Sequence, residues 1–398
     1  MVNTKKADFG KIWSALLTPM KSDESVNYDA LEKIIELQIK DGVEGFYVCG
    51  SSGEALLLSL EERKQILDHT IKVVAGRVPV IAHVGTVRTK DVIELAPYFS
   101  LRPNKGSYSV PVMGYLYSSH YPLKYCRIDD GLLLIYSHDG ATGALMPYCP
   151  EAELPRYFRL LEGYFNKELG QPLNVVLADE EGYGALAAAG CLEGYDCHEE
   201  VKYADYIYSG DDLRTLAGRK FSKKRNHINK FLQLYDGRWE YKRLFAPDEA
   251  AVVGVLNNWI QGIIPDFDGE DIKDVECYPA EVQETVIEYI GVRNILKNEA
   301  MTEHLHLGGI LIDGELKSFA IADYNPLDKM AVVNVEKADD SVPGLYQIIN
   351  REFIAHEFPE ALLVNREDDA GQENLRKAKL SYYPVMQERK YTIRQREV

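Results

Sequence analysis

Cysteine is scarce in this sequence, and the cysteines that occur are not arranged for metal binding. Six cysteines are spread over 398 residues, and no two of them form a Cys-x-x-Cys pair. Cys191, Cys197 and His198 are near one another, but their spacing differs from that of common zinc sites. We therefore expect reduced thiols, as in cytoplasmic proteins, and no metal centre.

Long hydrophobic segments are also missing. No run reaches about 18 apolar residues, the length at which a membrane-spanning helix becomes a candidate. The opening residues, MVNTKKADFG, contain no hydrophobic core of signal-peptide length. We expect a chain that has no membrane span, is not exported, and is cytoplasmic.

Positive charge is the third shortage. The chain has 45 Lys and Arg against 62 Asp and Glu, a formal net charge of −17, which argues against a general polyanion binder because phosphate contacts need clustered cations. The exception is the segment KFSKKRNHINKF (220–231), where Lys223, Lys224 and Arg225 are consecutive. It reads either as a solvated helix face or as a local phosphate contact, to coenzyme A or to a tRNA acceptor end.

Strand and helix patterns alternate over residues 11 to 96. Apolar runs at 12–18, 45–49 and 78–84 predict strands, and amphipathic segments at 28–40, 60–74 and from Thr89 predict helices, with Asn27 as a cap of the first. This order predicts right-handed βαβ units on a parallel sheet. Between the second strand and helix, the loop GSSGEA (50–55) looks like an anion cradle, with Ser51 and Ser52 as hydroxyl donors.

With its flanks, GFYVCGSSGEALLLSLEER and ALLTP, this region resembles the N-acetylneuraminate lyase and dihydrodipicolinate synthase family, which forms a (β/α)8 barrel. The resemblance implies that Ser51 and Ser52 would hold the carboxylate of a 2-oxo acid bound as a Schiff base. It covers about residues 8 to 96, three βα units of the eight in a barrel. No later segment matches the family's Schiff-base lysine, so we expect a relic cradle without lyase activity. Because three parallel strands leave open edges, we also expect this segment to pack against the next domain or to self-associate.

Residues 361–384 predict a buried strand, a polar turn and a short helix. The apolar run ALLV is followed directly by Asn365, Arg366, Glu367, Asp368 and Asp369. Strand ends of this kind usually border the ligand crevice of an open α/β sheet. The alternative is an internal ion-pair network that serves only the fold.

The segment NREDDAGQENLRKAKLSYYP (365–384) resembles the phosphatidylglycerol lysyltransferase C-terminal-like family, and KFSKKRNHINKF and VEKADDSVPGLYQIINREF (335–353) agree with it. The family is similar to a tandem GNAT fold and is associated with transfer of an aminoacyl group from tRNA to an amine or hydroxyl acceptor. The resemblance implies an α/β and α+β fold class: a partial barrel segment (1–96) followed by two GNAT-like lobes (97–219 and 220–398). The glycine-rich signature of acetyl-CoA binders is absent at 340–346, which weakens an acetyl-CoA assignment. The donor could be an acyl-CoA or an aminoacyl-tRNA.

This resemblance leads to a hypothesis of direct transfer that requires no cofactor. Its candidate residues are Glu336 or Glu367 as base, Lys337 and Arg366 as charge stabilisers, Asn350, Asn365 and Asp368 as substrate anchors, and Arg376 and Lys379 as contacts to the donor's phosphates. Lys223, Lys224 and Arg225 are further candidates for phosphate binding. The alternative from another functional class is a catalytically inactive binding module.

Overall fold

The computed structural model describes residues 12–21, 25–50, 53, 58, 60–82, 94–138, 141–269, 272 and 274–396. The chain divides into two compact units, Met1–Arg88 and Thr89–Val398. Ser51, Ser52 and the predicted helix start at Thr89 lie outside the described residues.

The N-terminal unit is a small βαβαβ segment. It consists of β1 (Trp13–Ala15), α1 (Tyr28–Lys40), β2 (Gly45–Val48), α2 (Leu60–Val74) and β3 (Val80–Ala82). The strands pair in parallel in the order β1-β2-β3. Leu31, Ile35, Phe46 and Ile66 are fully buried between the sheet and the helices. The alternation of strand and helix predicted for this segment is confirmed, including the cap, since Asn27 Oδ1 accepts a hydrogen bond from the Ala30 amide at 3.1 Å.

The C-terminal unit contains a six-stranded sheet in the order β4-β5-β6-β7-β16-β8. Its strands are β4 (Leu123–Ile128), β5 (Gly131–His138), β6 (Ala141–Ala144), β7 (Asn174–Asp179), β8 (Tyr195–Glu199) and β16 (Lys390–Gln395), and the helices in this part of the chain are α3 (Val112–Leu116), α4 (Leu154–Tyr164) and α5 (Glu180–Ala188). The core of this half is rich in aromatic side chains, including Tyr157, Phe158 and Phe165.

A seven-stranded sheet follows in the order β10-β11-β12-β13-β14-β9-β15. Its strands are β9 (Asp205–Ser209), β10 (Trp239–Arg243), β11 (His306–Ile312), β12 (Glu315–Asn325), β13 (Met330–Ala338), β14 (Leu363–Asn365) and β15 (Met386–Glu388). The helices are α6 (Gly210–Thr215), α7 (Ser222–Leu234), α8 (Glu249–Gln261), α9 (Ala280–Leu296), α10 (Glu299–His304), α11 (Leu345–Glu357) and α12 (Glu373–Leu380). Helix α11 packs on β11–β13, and α7 packs on α11. The mixed α/β class expected from the sequence is confirmed.

The two sheets exchange strands. Strand β9 pairs with β14 and β15, whereas the later strand β16 inserts between β7 and β8. A buried ion pair accompanies the exchange, because Lys390 at the start of β16 contacts Asp205 at the start of β9 at 2.6 Å. The lobe limits of 97–219 and 220–398 stay a prediction. Each of the two sheets contains strands from both sides of the boundary at 219/220.

Strands β13 and β14 pair only briefly. Their parallel register runs from Met330 opposite Leu363 to Val332 opposite Asn365 and then stops. Beyond it, β13 carries a bulge at Asn334, since its pairing with β12 skips from Val333 to Val335. Beyond this point β13 and β14 diverge and leave a gap. Asn334 and Glu336 of β13 contact the residues after Asn365 across this gap.

Candidate functional site

A cavity of about 530 Å³ lies within the C-terminal unit. Its walls come from the α3 region, β7, β16, α9 and the loop between β14 and α12. Gly291 permits this arrangement, because a β-carbon there would collide with the Leu116 carbonyl of α3. The lining is aromatic (Tyr108, Tyr117, Tyr121, Tyr136, Tyr203), apolar (Met113, Leu123, Leu145, Val176, Leu177, Ile287) and charged (Glu200, Lys202, Glu284, Glu367, Asp368, Lys390).

Glu367 reaches this cavity from an unusual backbone conformation. Its φ is +59°, in the left-handed region that costs an L-residue about 1–2 kcal/mol. The surrounding contacts impose it: the Glu367 amide donates to Asn365 Oδ1 at 2.6 Å, and its carbonyl accepts from the Tyr206 amide at 3.1 Å. Such strain is typical of positions where the fold holds a side chain for function.

The Glu367 carboxyl keeps its proton unusually well. Burial, followed by the nearby carboxylates of Asp205 and Asp368, raises its pKa to about 8, against the opposing influence of Lys379 and Lys390. The Asn334 side-chain amide donates to Glu367 Oε1 at 3.1 Å. A carboxyl with a pKa close to physiological pH can both accept and donate a proton, which is what general acid–base catalysis requires.

Neighbouring groups complete the polar floor of the cavity. Burial also raises the pKa of Asp368, whose carboxylate lies 3.9 Å from Lys390. Burial, reinforced by Glu367 and other acidic neighbours, raises the pKa of Tyr117 well above its ordinary value. The hydroxyl of Tyr117 therefore stays protonated and is a hydrogen-bond donor for a ligand in the cavity.

A second polar cluster forms where β13 and β14 separate. Arg366 pairs with Glu336 at 3.1 Å, and Asn350 of α11 donates to the other oxygen of Glu336 at 3.1 Å. The ammonium of Lys224 lies 3.7 Å from the centre of the Tyr382 ring. Burial and the adjacent Arg366 lower the pKa of Lys224 to about 8, against the effect of Glu336. The structure thus brings Glu336, Asn350, Arg366 and Lys224 together, and these four do not line the cavity that contains Glu367.

Other predicted site residues are engaged within the protein. Lys337 pairs with Glu288 at 2.9 Å and lies over the Trp259 ring. Asn365 is fully buried and donates to the Lys105 carbonyl and to Asp205. Arg376 pairs with Asp369 at 2.8 Å. For these residues the geometry matches the ion-pair network that the sequence left open as the alternative.

Lys379 differs from its predicted role as a phosphate contact. Its side chain is only 9% exposed, and the ammonium donates to the carbonyls of Arg366 and Asp368. The sequence showed its charge on a short helix, but not that the helix turns this side chain into the protein.

Lys223, Lys224 and Arg225 of the basic segment lie in the first turn of α7, which has no side-chain cap. Arg225 donates to the Gly218 carbonyl at 2.7 Å and to that of Leu216, Lys223 is exposed, and Lys224 points inward to Tyr382. Three consecutive cations at a helix N-terminus are electrostatically unfavourable unless an anion accompanies them. Their role as a phosphate site stays a prediction.

Sequence reasoning did not single out Tyr108, Tyr117, Asn334, Asp205 or Lys390 as site residues. They come from segments far apart in the chain, and none lies in a local motif that signals chemistry. The buried pairing of Asp205 with Lys390 depends on the exchanged strand, which no local pattern indicates.

The described residues contain neither a candidate membrane span nor a candidate metal cluster. No helix among them is both long and apolar enough to cross a bilayer. Nor do the described side chains include a group of three or more His, Cys, Asp or Glu suited to a metal ion.

Comparison with known families decides the identity of the larger unit. Residues 113–394 match the family described as phosphatidylglycerol lysyltransferase, C-terminal. The chain belongs to this family. Residues 8–114 match the dihydrodipicolinate synthetase family. The two matches meet at residues 113–114, whereas the compact units divide between Arg88 and Thr89.

Solved structures similar to this phosphatidylglycerol lysyltransferase C-terminal family member share its fold. A conserved protein of unknown function from Bacteroides thetaiotaomicron is 26% identical, with a TM-score of 0.67 over 78% of this chain and 98% of that protein. The C-terminal domain of a putative lysylphosphatidylglycerol synthetase from Agrobacterium fabrum is 12% identical, with a TM-score of 0.53 over 78% of this chain and 92% of that domain. At this lower identity the likeness shows the fold alone.

The N-terminal part is similar to a fraction of two kinds of enzyme, an N-acetylneuraminate lyase and 4-hydroxy-tetrahydrodipicolinate synthases. N-acetylneuraminate lyase from Rhizobium meliloti is 39% identical over 107 residues, which are 27% of this chain and 36% of the lyase. A 4-hydroxy-tetrahydrodipicolinate synthase from Clostridium perfringens is 45% identical over 84 residues, 21% of this chain and 28% of that enzyme. The chain therefore spans about a third of the length of these relatives.

Proposed function

We propose that the C-terminal unit is a transferase that moves an acyl or aminoacyl group directly from an ester or thioester donor to an amine or hydroxyl acceptor, with Glu367 as the general base. Family membership supports transferase function only coarsely. The observation that carries the proposal is the Glu367 carboxyl, held in a strained conformation at the cavity with a pKa of about 8.

The proposed reaction needs no covalent enzyme intermediate. The acceptor nitrogen attacks the carbonyl carbon of the donor ester, and the C–N bond forms as the carbonyl electrons move to oxygen. Glu367 removes a proton from the attacking nitrogen, the C–O bond breaks as the intermediate collapses, and the leaving hydroxyl takes up that proton. The protonated hydroxyls of Tyr117 and Tyr108 are candidate donors to the oxyanion.

The lining of the cavity favours an amine as acceptor. Besides Glu367, which keeps its proton, three carboxyl groups face two lysines there, and one of these lysines, Lys390, is neutralised by Asp205. Five tyrosine rings surround the same space, and aromatic faces attract ammonium groups by cation–π interactions. A hydroxyl acceptor would leave this negative potential unused.

Two contacts favour aminoacyl-tRNA over acyl-CoA as donor. In acyltransferases of the GNAT type, free amides at a helix start such as that of α11 hold the cofactor's pyrophosphate. Here the start of α11 is covered, because a β-carbon on Gly344 would lie 2.5 Å from the His227 carbonyl of α7. The Arg366–Glu336 pair also bridges the gap between β13 and β14. Lys223, which is exposed on α7, is then a group available to a tRNA phosphate.

A catalytically inactive binding module is the second candidate. It is favoured by the internal pairing of Asn365, Lys337 and Arg376, each of which already has a partner within the protein. The lyase-like segment adds a third, narrower candidate, binding of a 2-oxo acid, which rests on its similarity to the relatives above.

The test is a transfer assay with radiolabelled aminoacyl-tRNA and a panel of small amines, run beside the same assay with acetyl-CoA. Glu367→Gln should lower kcat by about 100-fold or more, the range in which a general base contributes. Glu373→Gln, an exposed carboxyl on α12, is the matched control. Thermal-shift measurements separate the candidates: stabilisation by pyruvate alone supports the 2-oxo acid reading, whereas tight ligand binding without transfer supports the inactive module.

A further inference from the structure

Lys379 lies directly behind the loop that carries Glu367. It occupies the last turn of α12 and is almost completely buried. Its ammonium donates to the carbonyl of Arg366 at 2.5 Å and to the carbonyl of Asp368. These are the carbonyls of the residues immediately before and after Glu367.

The two hydrogen bonds from Lys379 therefore flank Glu367, which adopts a left-handed conformation, as Ala370 does later in the same loop. With φ at +59°, Glu367 would relax toward ordinary backbone geometry if its neighbours were not fixed. Asn365 binds the amide of Glu367 and Tyr206 binds its carbonyl, while Lys379 binds the carbonyls of Arg366 and Asp368. Removing Lys379 would leave two buried carbonyls without these donors.

Asn334 holds the other end of the side chain. Its Nδ2 donates to Glu367 Oε1 at 3.1 Å, and its Oδ1 has no hydrogen-bond partner although the residue is only 6% exposed. If the amide turns over, the unpartnered oxygen can accept a hydrogen bond from the protonated carboxyl of Glu367, so that Asn334 suits both protonation states.

The charge of Lys379 acts on the same carboxyl. The titratable groups around Glu367 are Asp205, Asp368, Lys379, Lys390, Tyr108 and Tyr117. The first two raise the pKa of Glu367 and the two lysines lower it. Lys390 is committed to the ion pair with Asp205.

We propose that Lys379 is a positioning residue for Glu367. Lys379 binds the two carbonyls on either side of Glu367 and so fixes, together with Asn334, the direction of the Glu367 carboxyl and how readily that carboxyl exchanges a proton. The inference rests on the proposed function for its catalytic meaning, but not for its test. Lys379 acts through Glu367 and does not itself contact the cavity.

The test is an NMR titration of carboxyl-13C-labelled glutamate in the full-length protein, with Glu367→Gln to assign the resonance. Lys379→Met should raise the apparent pKa of Glu367 by about one or more, the effect of losing a nearby opposite charge. Lys379→Arg keeps the charge and should restore most of the difference. Lys377→Met is the matched control, because this lysine lies on the same helix with its side chain 69% exposed. A Lys379→Met protein that folds with an unchanged Glu367 titration overturns the proposal.

A second measurement needs no variant at Lys379. In the wild-type protein, the Lys379 ammonium and the Glu367 carboxyl should titrate in a coupled manner, with changes in both resonances over the same pH range. Independent titrations would overturn the proposal even if Lys379→Met does not fold. If transfer activity is found, Lys379→Met should also shift the pH profile of kcat toward higher pH, with little change in KM. Absence of transfer in the wild type defeats the proposed function, and the titrations still decide the role of Lys379.

Discussion

The ion pair between Lys390 and Asp205 should be one of the most costly places to substitute in the C-terminal unit. Their side chains are 2% and 0% exposed and lie 2.6 Å apart. Asp205 also accepts from the Ser107 amide at 2.5 Å and from Asn365 at 3.1 Å, so its charge is fixed in place. Lys390→Met leaves that carboxylate buried without its cation, which should lower the free energy of unfolding by about 3–5 kcal/mol.

The measurement is urea unfolding followed by tryptophan fluorescence. Trp239 and Trp259 lie in the C-terminal unit and Trp13 in the other, so Trp13→Phe isolates the transition of interest. Disrupting the exposed Lys377–Glu373 pair with Lys377→Met should cost less than about 0.5 kcal/mol. The double variant Lys390→Met, Asp205→Asn should recover part of the loss, because it removes the isolated charge. A loss below about 1 kcal/mol for Lys390→Met would refute the argument that this pair joins the exchanged strands.

Three further predictions concern stability. Because the pKa of Glu367 is raised to about 8, the folded state holds a proton that the unfolded state has released, and the free energy of unfolding falls as pH rises from about 4.5 to 8. Glu367→Gln should therefore gain urea stability relative to the wild type over that pH range. Parallel stability curves for the two proteins would contradict this. Gly344→Ala should destabilise by about 1–3 kcal/mol, because Gly344 has a left-handed φ of +85° and a β-carbon there would clash with the His227 carbonyl. Gly163→Ala, in open space on α4, should stabilise by about 0.5–1 kcal/mol. Equal effects of the two substitutions would show that neither the backbone conformation nor the contact with α7 constrains Gly344. Asn27→Ala should cost the N-terminal unit about 1 kcal/mol, seen as a lower midpoint by Trp13 fluorescence, with Asn27→Asp near wild type; a neutral alanine variant would mean that the cap is dispensable.

Local elements were largely predictable from the sequence. Helices at 28–40 and 60–74 have the predicted bounds, because the spacing of apolar side chains must follow the 3.6-residue turn and caps such as Asn27 mark the start. The short helix predicted within 361–384 forms at 373–380. Tyr206 and Tyr208 are core residues of β9, a strand whose first four residues are all buried. The family motifs likewise located the polar loop after β14.

The roles of individual side chains in that loop were not predictable to the same degree. Glu336 and Arg366 were named together and do meet, at the gap between β13 and β14. Glu367 lines the cavity of about 530 Å³ and Glu336 does not, although both were candidates for the same role. Which way each points depends on the bulge at Asn334 and on the left-handed φ of Glu367, neither of which leaves a signature in a sequence of ordinary residues.

The sequence by itself determined the class of each segment, the family of the chain and the position of its most polar strand end, because these depend on local periodicity and contiguous motifs. Only the tertiary structure decided that β16 returns to the first sheet, that Lys390 meets Asp205, and that Tyr108, Tyr117 and Asn334 surround Glu367. The reason is physical: a strand's alternation specifies which faces it buries, whereas its partner is set by the packing of the whole sheet, and a protonation equilibrium is set by charges that such packing brings together.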